Sequence, residues 1–432
     1  MTEPAPISAN RPDVTDMLTE AAAAMVSSTY PAPQAEEVLR GLADAYDADA
    51  EIVLLPTLVL TETHKHGVPQ LRVVKTSYRF DQMTQVQSVL AQARHNKDNA
   101  HDVAESLRAI SHKKPIYPSW LRVVGYSLSA LGFGAAFRLD LQALVAVTVM
   151  GLLIGVVVLN LSRSTRFAAL LPLMATFIAG LMVAGLAQVI DKPDPVRMVA
   201  MLIVVLLPGA TLTSGIIELV SGYMVSGASR LMYALMILGS MAFGGALAIA
   251  VSGIPSSRLV DVTATLTPEW VAWAGAAIYG VGTFLYFCTP LRLWLPSLFV
   301  MMLSFAISVL AVPEMGVPLS AGIATAVGLI TSWAINARLG GGPGDLAIFL
   351  PTFWLIVPGS TGFVAITGEL ESAQNLSDVA GTAALTFFAM AVGMMLATAV
   401  YPLLNKIAPD TKLIMRNGAG LILKTVKIKP GK

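Results

Sequence analysis

The chain contains little charge, a single cysteine and few histidines. Charged residues make up 13% of its 432 residues, against about 25% in a typical soluble protein, which argues against an ordinary soluble fold. The one cysteine, Cys288, excludes an intramolecular disulfide and a metal site built from cysteines. All five histidines precede residue 115, so none serves the rest of the chain as a ligand or proton carrier. The net charge of +1 predicts no nucleic-acid partner.

Long apolar runs dominate the rest of the composition. Apolar residues make up 55% of the chain, and its mean hydropathy is +0.69. After residue 115, ten stretches approach the ~20 residues that a helix needs to cross the hydrocarbon core of a lipid bilayer. They cover roughly 120–137, 141–161, 168–190, 197–217, 231–252, 270–288, 292–312, 318–337, 345–366 and 379–403. The sequence therefore predicts an all-α polytopic membrane region with ten transmembrane helices.

The charged residues divide the chain into regions of different character. Residues 1–115 hold 26 of them, residues 116–405 hold 21, and residues 406–432 hold 8. We predict five segments: a disordered N-terminus (1–13), a cytoplasmic α+β domain (14–115), a first five-helix repeat (116–255), a second repeat (256–405) and a basic tail (406–432). Lysines and arginines near the predicted helix ends number eleven on the side of both termini and four on the other. Because short cytoplasmic loops are enriched in these residues, both termini are predicted to be cytoplasmic.

The fourth and ninth apolar stretches resemble each other. Residues 207–211 read Leu-Pro-Gly-Ala-Thr and residues 357–361 read Val-Pro-Gly-Ser-Thr, at a separation of 150 residues. Each is followed by small residues and then a glutamate. With five predicted spans in each half, the second copy must enter the membrane in the opposite direction. This arrangement predicts two inverted repeats, as in many secondary transporters, with the substrate site near the midplane between them.

The two Pro-Gly pairs predict broken helices. Proline removes a backbone donor and glycine tolerates other conformations, and freed backbone groups in a membrane need a polar environment. A zwitterionic amino acid suits such a site, because its carboxylate binds helix N-terminal amides. The alternative, a kink that serves only packing, stays open. The predicted substrate contacts are Pro208, Gly209, Thr211, Thr213, Ser214, Pro358, Gly359, Ser360 and Thr361.

Three carboxylates are candidates for proton coupling. Glu218 ends the fourth stretch among apolar residues and has no basic neighbour close in sequence. A carboxylate at membrane depth costs at least about 2.5 kcal/mol, so it faces a cavity, finds a partner or is protonated. We predict that Glu218 carries the proton, with a loop position outside the bilayer as the alternative. Glu369 and Asp345 are weaker candidates, since a solvated loop end and a helix cap explain them more simply.

The N-terminal region has helical and strand patterns but no recognisable catalytic motif. Its periodicity predicts the order helix, helix, strand, strand, helix, helix, with strands over 51–63 and 70–78. His64 and His66 in the connection lack a third ligand, so we predict no metal site and no cofactor. There is no nucleophile with a base at a known spacing, and no Walker motif. The sequence thus predicts no catalytic residues and a transport energy supplied by an ion gradient.

The chain resembles the bacterial threonine/serine exporter family over roughly residues 15–405. The resemblance rests on Ala-Glu-Glu-Val-Leu at 35–39, Leu-Pro-Thr-Leu at 55–58, Glu-Ser-Leu-Arg-Ala-Ile at 105–110 and the two Pro-Gly segments. It implies an inner-membrane exporter of L-threonine and L-serine, coupled to the proton motive force, with the two five-span halves fused to the cytoplasmic domain. One departure is Ser28–Ala32, where the resemblance implies a glycine-containing turn.

Two other functions stay open at this point. The first is a membrane-anchored enzyme or sensor whose N-terminal domain carries the activity. The second is a passive channel, which the lack of charged rings or a repeated filter motif disfavours. Small-residue spacings such as Gly180 with Ala184 permit helix contacts within one chain or in a homo-oligomer.

Overall fold

The protein is described here by a computed structural model. The described residues are 12–63, 68–74, 77–97, 99–164, 167–189, 195–253, 267–339, 346–356 and 376–407. Most of these residues are helical, and one small sheet lies near the N-terminus.

The first part of the chain, which we call the head, combines four helices with three strands. Its elements are α1 (Pro12–Ser27), α2 (Ala32–Ala45), β1 (Ala50–Leu55), β2 (Leu58–Thr63), β3 (Gln70–Val73), α3 (Phe80–Asn96) and α4 (Ala100–Ser111). The strands form an antiparallel sheet in the order β1-β2-β3. Helix α1 packs against this sheet and against α4.

The head has its own apolar core. Leu18, Leu39, Val59, Val86 and Leu107 are almost completely buried in it and come from four helices and the sheet. The helical members recur at the 3.6-residue period that the sequence shows, because that period places them on one face of each helix. The core explains why these short elements hold together.

The strand pattern of the head differs in one respect from the prediction. The run over 51–63 is two strands, because Leu55 pairs with Leu58 across a two-residue turn. Pro56 occupies that turn, and a proline there has no N–H to give to a strand partner. The predicted connection at His64 and His66 lies outside the described residues.

The rest of the chain forms long apolar helices. They are α5 (Ser119–Ala136), α6 (Leu141–Leu161), α7 (Leu171–Ala187), α8 (Pro195–Ile203), α9 (Gly209–Val220), α10 (Met224–Ser252), α11 (Glu269–Tyr286), α12 (Leu291–Leu310), α13 (Val312–Arg338), α14 (Leu350–Ile356) and α15 (Leu376–Ile407). Each of the ten predicted apolar stretches overlaps at least one of these helices.

Several of these helices are suited to a bilayer. Among the described residues, α6, α10, α12 and α13 have the length and apolar composition to cross a membrane. Helices α8 and α9, with a 67° bend at the break between them, form a fifth candidate span. The chain is therefore a multi-pass membrane protein, and the total of ten spans stays a prediction.

Several features of the membrane region recur at a spacing of 150 residues. Helices α5 and α11 begin and end 150 residues apart, and so do the first residues of α6 and α12. Arg138 and Cys288, which follow α5 and α11, both have a φ of 59°. A positive φ is uncommon outside glycine, so its recurrence at this spacing indicates the same local backbone in both halves.

Helices α5 and α11 pack closely and run in opposite directions. A Cβ placed on Gly125 would lie 2.8 Å from the Gly282 carbonyl oxygen, and one on Gly132 would lie 2.7 Å from that of Gly275. Along this contact, residue numbers increase in α5 and decrease in α11, so the two helices are antiparallel. Gly125 and Gly275 are themselves 150 residues apart, as are Gly132 and Gly282. The contact is therefore reciprocal at this spacing, since Gly125 pairs with Gly282 and Gly132 pairs with Gly275.

Within each half, the third and fifth predicted spans pack together. A Cβ on Gly244 of α10 would lie 2.5 Å from the carbonyl oxygen of Leu173 on α7. In the second half, Gly393 of α15 approaches Gly322 of α13 in the same way. Glycine is needed at these crossings because the partner is backbone, which cannot move aside.

Candidate functional site

The candidate site begins at a break in the fourth predicted span. After α8 and one 3₁₀ turn over Val204–Leu206, the chain bends at Pro208 and continues as α9. The first helical bond of α9 runs from Leu212 N to the Pro208 carbonyl oxygen, and Gly209 N donates to Leu207 O. The break that the Pro-Gly pair predicts is confirmed. Proline causes it by removing one donor and by clashing with the preceding turn.

The break faces the second half of the membrane region. A Cβ on Gly209 would overlap Nε1 of Trp354 on α14, so the indole edge lies directly against this glycine. Trp354 is 4% exposed, and among the described residues its Nε1 has no hydrogen-bond partner. A buried donor without a partner costs about 1–3 kcal/mol. Thr352, on the same helix, also has a buried hydroxyl without a partner.

The predicted hydroxyl contacts on α9 lie in different environments. Thr211 is half-buried in the first turn of the helix. The Thr213 hydroxyl donates to the Gly209 carbonyl oxygen at 2.8 Å, which occupies its proton within the helix. The Ser214 hydroxyl donates to the carbonyl oxygen of Thr29 in the head at 2.5 Å. Thus α9 carries the three hydroxyls, but Ser214 contacts the head.

Glu218 is completely buried and has a basic partner. Arg230 Nε, on α10, lies 3.1 Å from the Glu218 carboxylate, and the side chain of Arg230 is 8% exposed. Of the three outcomes expected for a carboxylate at this depth, a cavity, a partner or protonation, the structure shows a partner, which is distant in sequence. The partner is reached because Gly222, with a φ of 87°, reverses the chain between α9 and α10. Gly227 then packs against the backbone of Gly215, which brings the two helices together.

The same carboxylate also binds the head. Glu218 accepts a hydrogen bond of 3.0 Å from the backbone N–H of Ala32, the first residue of α2. A carboxylate at a helix N-terminus is stabilised by unpaired amides and by the helix dipole. Glu218 therefore joins three elements: α9, α10 and α2.

The turn before α2 has a strained backbone. Thr29 has a φ of 57°, a conformation that glycine adopts without a steric penalty. This is the segment in which the family resemblance implied a glycine. This turn contacts the membrane helices, since the Thr29 carbonyl oxygen accepts a hydrogen bond from the Ser214 hydroxyl.

Two further contacts hold the head to the membrane helices. The Tyr223 hydroxyl, between α9 and α10, donates to Glu36 Oε2 on α2 at 2.7 Å. Burial and then the Glu36 carboxylate raise the pKa of Tyr223 to about 12, so it stays protonated and keeps this bond at neutral pH. Phe80 of α3 stacks on Phe287, with ring centroids 5.3 Å apart. We call the end of the membrane helices that contacts the head the head-side end.

An aromatic stack connects the head with the break in α8–α9. Phe287 stacks on Phe80 with one face and is also stacked with Trp354, at a centroid distance of 4.7 Å and an interplanar angle of 20°. Trp354 in turn contacts Gly209. The head, the turn after α11, α14 and α9 are thus in continuous contact.

The remaining predicted site residues lie outside the described residues. They are Pro358, Gly359, Ser360, Thr361, Glu369 and Asp345. Within the part of the chain that the structure describes, no group of three or more His, Cys, Asp or Glu side chains is placed to hold a metal ion.

Sequence reasoning missed Arg230, Trp354 and the contacts with the head. Arg230 had a usable signal, because it is the single charged residue of α10, twelve positions after Glu218 with a glycine between them. For Trp354, the only signal in the sequence is its position in the apolar stretch before the second Pro-Gly pair. The docking of Ser28–Ala32 on α9 had no signal in the sequence.

A family model and one curated relative indicate the same family. The model of a family described as "Putative threonine/serine exporter" matches residues 16–252. A Mycobacterium tuberculosis protein named "Probable threonine/serine exporter" is 28% identical over 302 residues, which are 65% of this chain and 55% of that protein. An uncharacterized protein of Schizosaccharomyces pombe is 23% identical over 82% of this chain and 44% of its own length. The chain thus spans about half the length of the curated relatives it matches. No solved structure matches it.

Proposed function

Because the chain belongs to the threonine/serine exporter family, we propose that it exports L-threonine and L-serine from the cytoplasm. The family match supports a transporter rather than an enzyme. The observation that carries the proposal is the family match over residues 16–252, which contains the head, the break at Pro208 and the buried Glu218. The name of the mycobacterial relative supports the same substrates.

The proposed architecture is ten spans in two inverted five-helix repeats, over 116–255 and 256–405. Three observations support it: the spacing of 150 residues, the antiparallel contact of α5 with α11, and the matching α7–α10 and α13–α15 packing. An odd number of spans per repeat requires the first helix of each repeat to run in opposite directions, as α5 and α11 do. The head is then a cytoplasmic α+β domain over 14–115, and both termini lie on the cytoplasmic face of the plasma membrane.

The proposed substrate site lies at the break between α8 and α9, and residues 358–361, which lie outside the described residues, stay predicted contacts. Support comes from the position of the break, since Gly209 lies against Trp354 of α14 in the second half. The first turn of α9 offers free amides for a carboxylate, and Thr211 offers a half-buried hydroxyl. In alternating access, the two repeats expose this site first to one side and then to the other.

The head-side end of this pathway is closed in the described conformation. Ser214 and Glu218 are fully buried, and both bond to backbone groups of the α1–α2 turn and α2. Access of a cytoplasmic amino acid therefore requires these bonds to open. This supports a role of the head in gating rather than as an independent enzyme.

The proposed energy source is the proton motive force, with Glu218 as the proton carrier. A proton that crosses 100 mV supplies about 2.3 kcal/mol. Glu218 suits the role because its protonation weakens two interactions together, the pair with Arg230 and the bond to Ala32. Glu369 and Asp345 remain candidates for the same role in the second repeat.

Reconstituted full-length protein tests this function. In counterflow with proteoliposomes, we expect uptake of labelled L-threonine and L-serine and little uptake of large apolar amino acids. An imposed pH step should drive accumulation, and a protonophore should abolish it. Equal rates with and without the gradient, together with downhill flux only, would favour a passive channel and contradict the proposal.

A further inference from the structure

We propose that the indole N–H of Trp354 and the N-terminus of α9 together form the subsite that binds the substrate carboxylate. The inference rests on the proposed function and specifies how its site recognises an amino acid. Neither the family match nor the relatives assign a role to Trp354.

The N-terminus of α9 presents free donors to this subsite. The first helical bond is donated by Leu212, so the amides of Ala210 and Thr211 lie in the first turn ahead of it. Both residues are half-buried, so the turn is not sealed by its neighbours. The helix dipole adds a partial positive charge at this point. These amides alone do not define a ligand, because every helix begins with free donors.

Trp354 supplies the second, independent observation. Its Nε1 is buried without a partner among the described residues, and its edge lies against Gly209, the first residue of α9. A buried indole N–H normally finds an acceptor. The acceptor missing here would have to lie beside the same helix N-terminus, where an anion is favoured. A carboxylate oxygen satisfies the indole and the amides at once.

The orientation of the indole is fixed by packing. Phe287 stacks on its face at a centroid distance of 4.7 Å, which leaves the edge with Nε1 directed at α9. Gly209 is required for this approach, since a Cβ there would overlap Nε1. The donor is therefore held in place before a ligand arrives, which lowers the entropic cost of binding.

The Glu218–Arg230 pair does not compete for this carboxylate. Glu218 lies nine residues after Gly209 on α9, which is about 13 Å along the helix at 1.5 Å per residue. Arg230 is already engaged with Glu218. The carboxylate is thus bound by neutral donors at one end of α9, while the Glu218–Arg230 pair lies at the other end. One amino acid does not span both.

The subsite is tested first on the wild type by ligand chemistry. L-Threonine and L-serine should raise the melting temperature of the purified protein, whereas L-threoninamide and L-serinamide, which lack the negative charge, should not. Equal stabilisation by acid and amide overturns the subsite without any mutation. Absence of transport of both amino acids by the wild type instead contradicts the proposed function, and the subsite with it.

The second test removes the donor and keeps an aromatic ring. Trp354→Phe should raise the KM for both amino acids about tenfold at unchanged maximal rate, because one bond to a charged acceptor is lost. Trp270→Phe is the matched control, since Trp270 on α11 is 69% exposed, and its KM should equal that of the wild type. An unchanged KM in Trp354→Phe, with wild-type transport intact, overturns the subsite and leaves the exporter function standing. If this variant does not fold, the comparison of acid with amide decides.

Discussion

At the scale of single residues, the Glu218–Arg230 pair determines how proton coupling is tested. Removing one partner of a buried ion pair leaves an uncompensated charge and costs about 3–5 kcal/mol. Glu218→Gln should therefore abolish pH-driven transport and also lower the melting temperature, because Arg230 keeps its charge. Loss of activity in this variant alone does not separate coupling from stability.

The paired variant Glu218→Gln with Arg230→Gln separates them. It removes both charges, so its melting temperature should recover towards that of the wild type, while transport driven by a pH step stays absent and counterflow without a gradient persists. Glu269→Gln is the control, since Glu269 is 89% exposed in its side chain and its contact with Arg138 is 4.0 Å long. Full pH-driven accumulation by the paired variant would exclude Glu218 as the proton carrier.

Residue-scale prediction from the sequence succeeded where the cause is local. Proline and glycine act on their own backbone, so the break at Pro208–Gly209 could be predicted from these two residues alone. The pairing of Glu218 with Arg230 depends on the reversal at Gly222 and on the approach of Gly215 to Gly227. The contact of Trp354 with Gly209 joins residues 145 positions apart. Such contacts require the tertiary fold, which composition and periodicity do not contain.

At the scale of elements, the crossing of α5 with α11 is the contact that joins the two halves most closely. A Cβ on Gly132 would overlap the backbone N of Tyr279 and lie 2.6 Å from its Cα. Backbone atoms cannot rotate away, so Gly132→Ala must push the helices apart. We expect a loss of at least about 1–3 kcal/mol, seen as a lower melting temperature in detergent.

Gly239→Ala is the matched control for this crossing. Gly239 lies within α10, and nothing approaches its Cβ position within 4 Å. Alanine there should be neutral or stabilising by up to about 1 kcal/mol, because it has the higher helix propensity. Equal tolerance of the two substitutions would refute the close antiparallel contact of α5 with α11.

Element boundaries were predictable to the extent that local chemistry sets them. Helices α6 and α12 begin within one residue of the predicted stretches, since Asp140 caps α6 and Pro290 precedes α12. The head strands were less predictable, because the run over 51–63 is apolar and β-branched on both sides of the turn at Pro56. Two short helices, α8 and α9, lie where hydropathy alone predicts one continuous span.

At the scale of the whole molecule, the docking of the head connects the soluble and membrane parts. Among the described residues, four hydrogen bonds and one aromatic stack hold α2, α3 and the α1–α2 turn on α9, its following turn and Phe287. Three of these bonds use backbone groups of the head, which no sequence pattern marks. The division into head and membrane region was therefore predictable from charge, whereas their mutual position was not.

The proposed inverted repeat predicts that two residues at matching positions in the two halves lie on opposite sides of the membrane. Val189 follows α7 and is 83% exposed, and Leu339, 150 positions later, follows α13 and is 54% exposed. In oppositely oriented halves, these positions lie on opposite faces of the membrane.

A membrane-impermeant maleimide added to intact cells should label Val189→Cys, but should label Leu339→Cys only after lysis. The native Cys288 gives little background, because its thiol is buried. Val68→Cys in the head, 82% exposed, should behave like Leu339→Cys if the head is cytoplasmic. Labelling of Val189→Cys and Leu339→Cys from the same side would mean that the halves enter the membrane in one orientation, and the alternating-access mechanism proposed for them would fail.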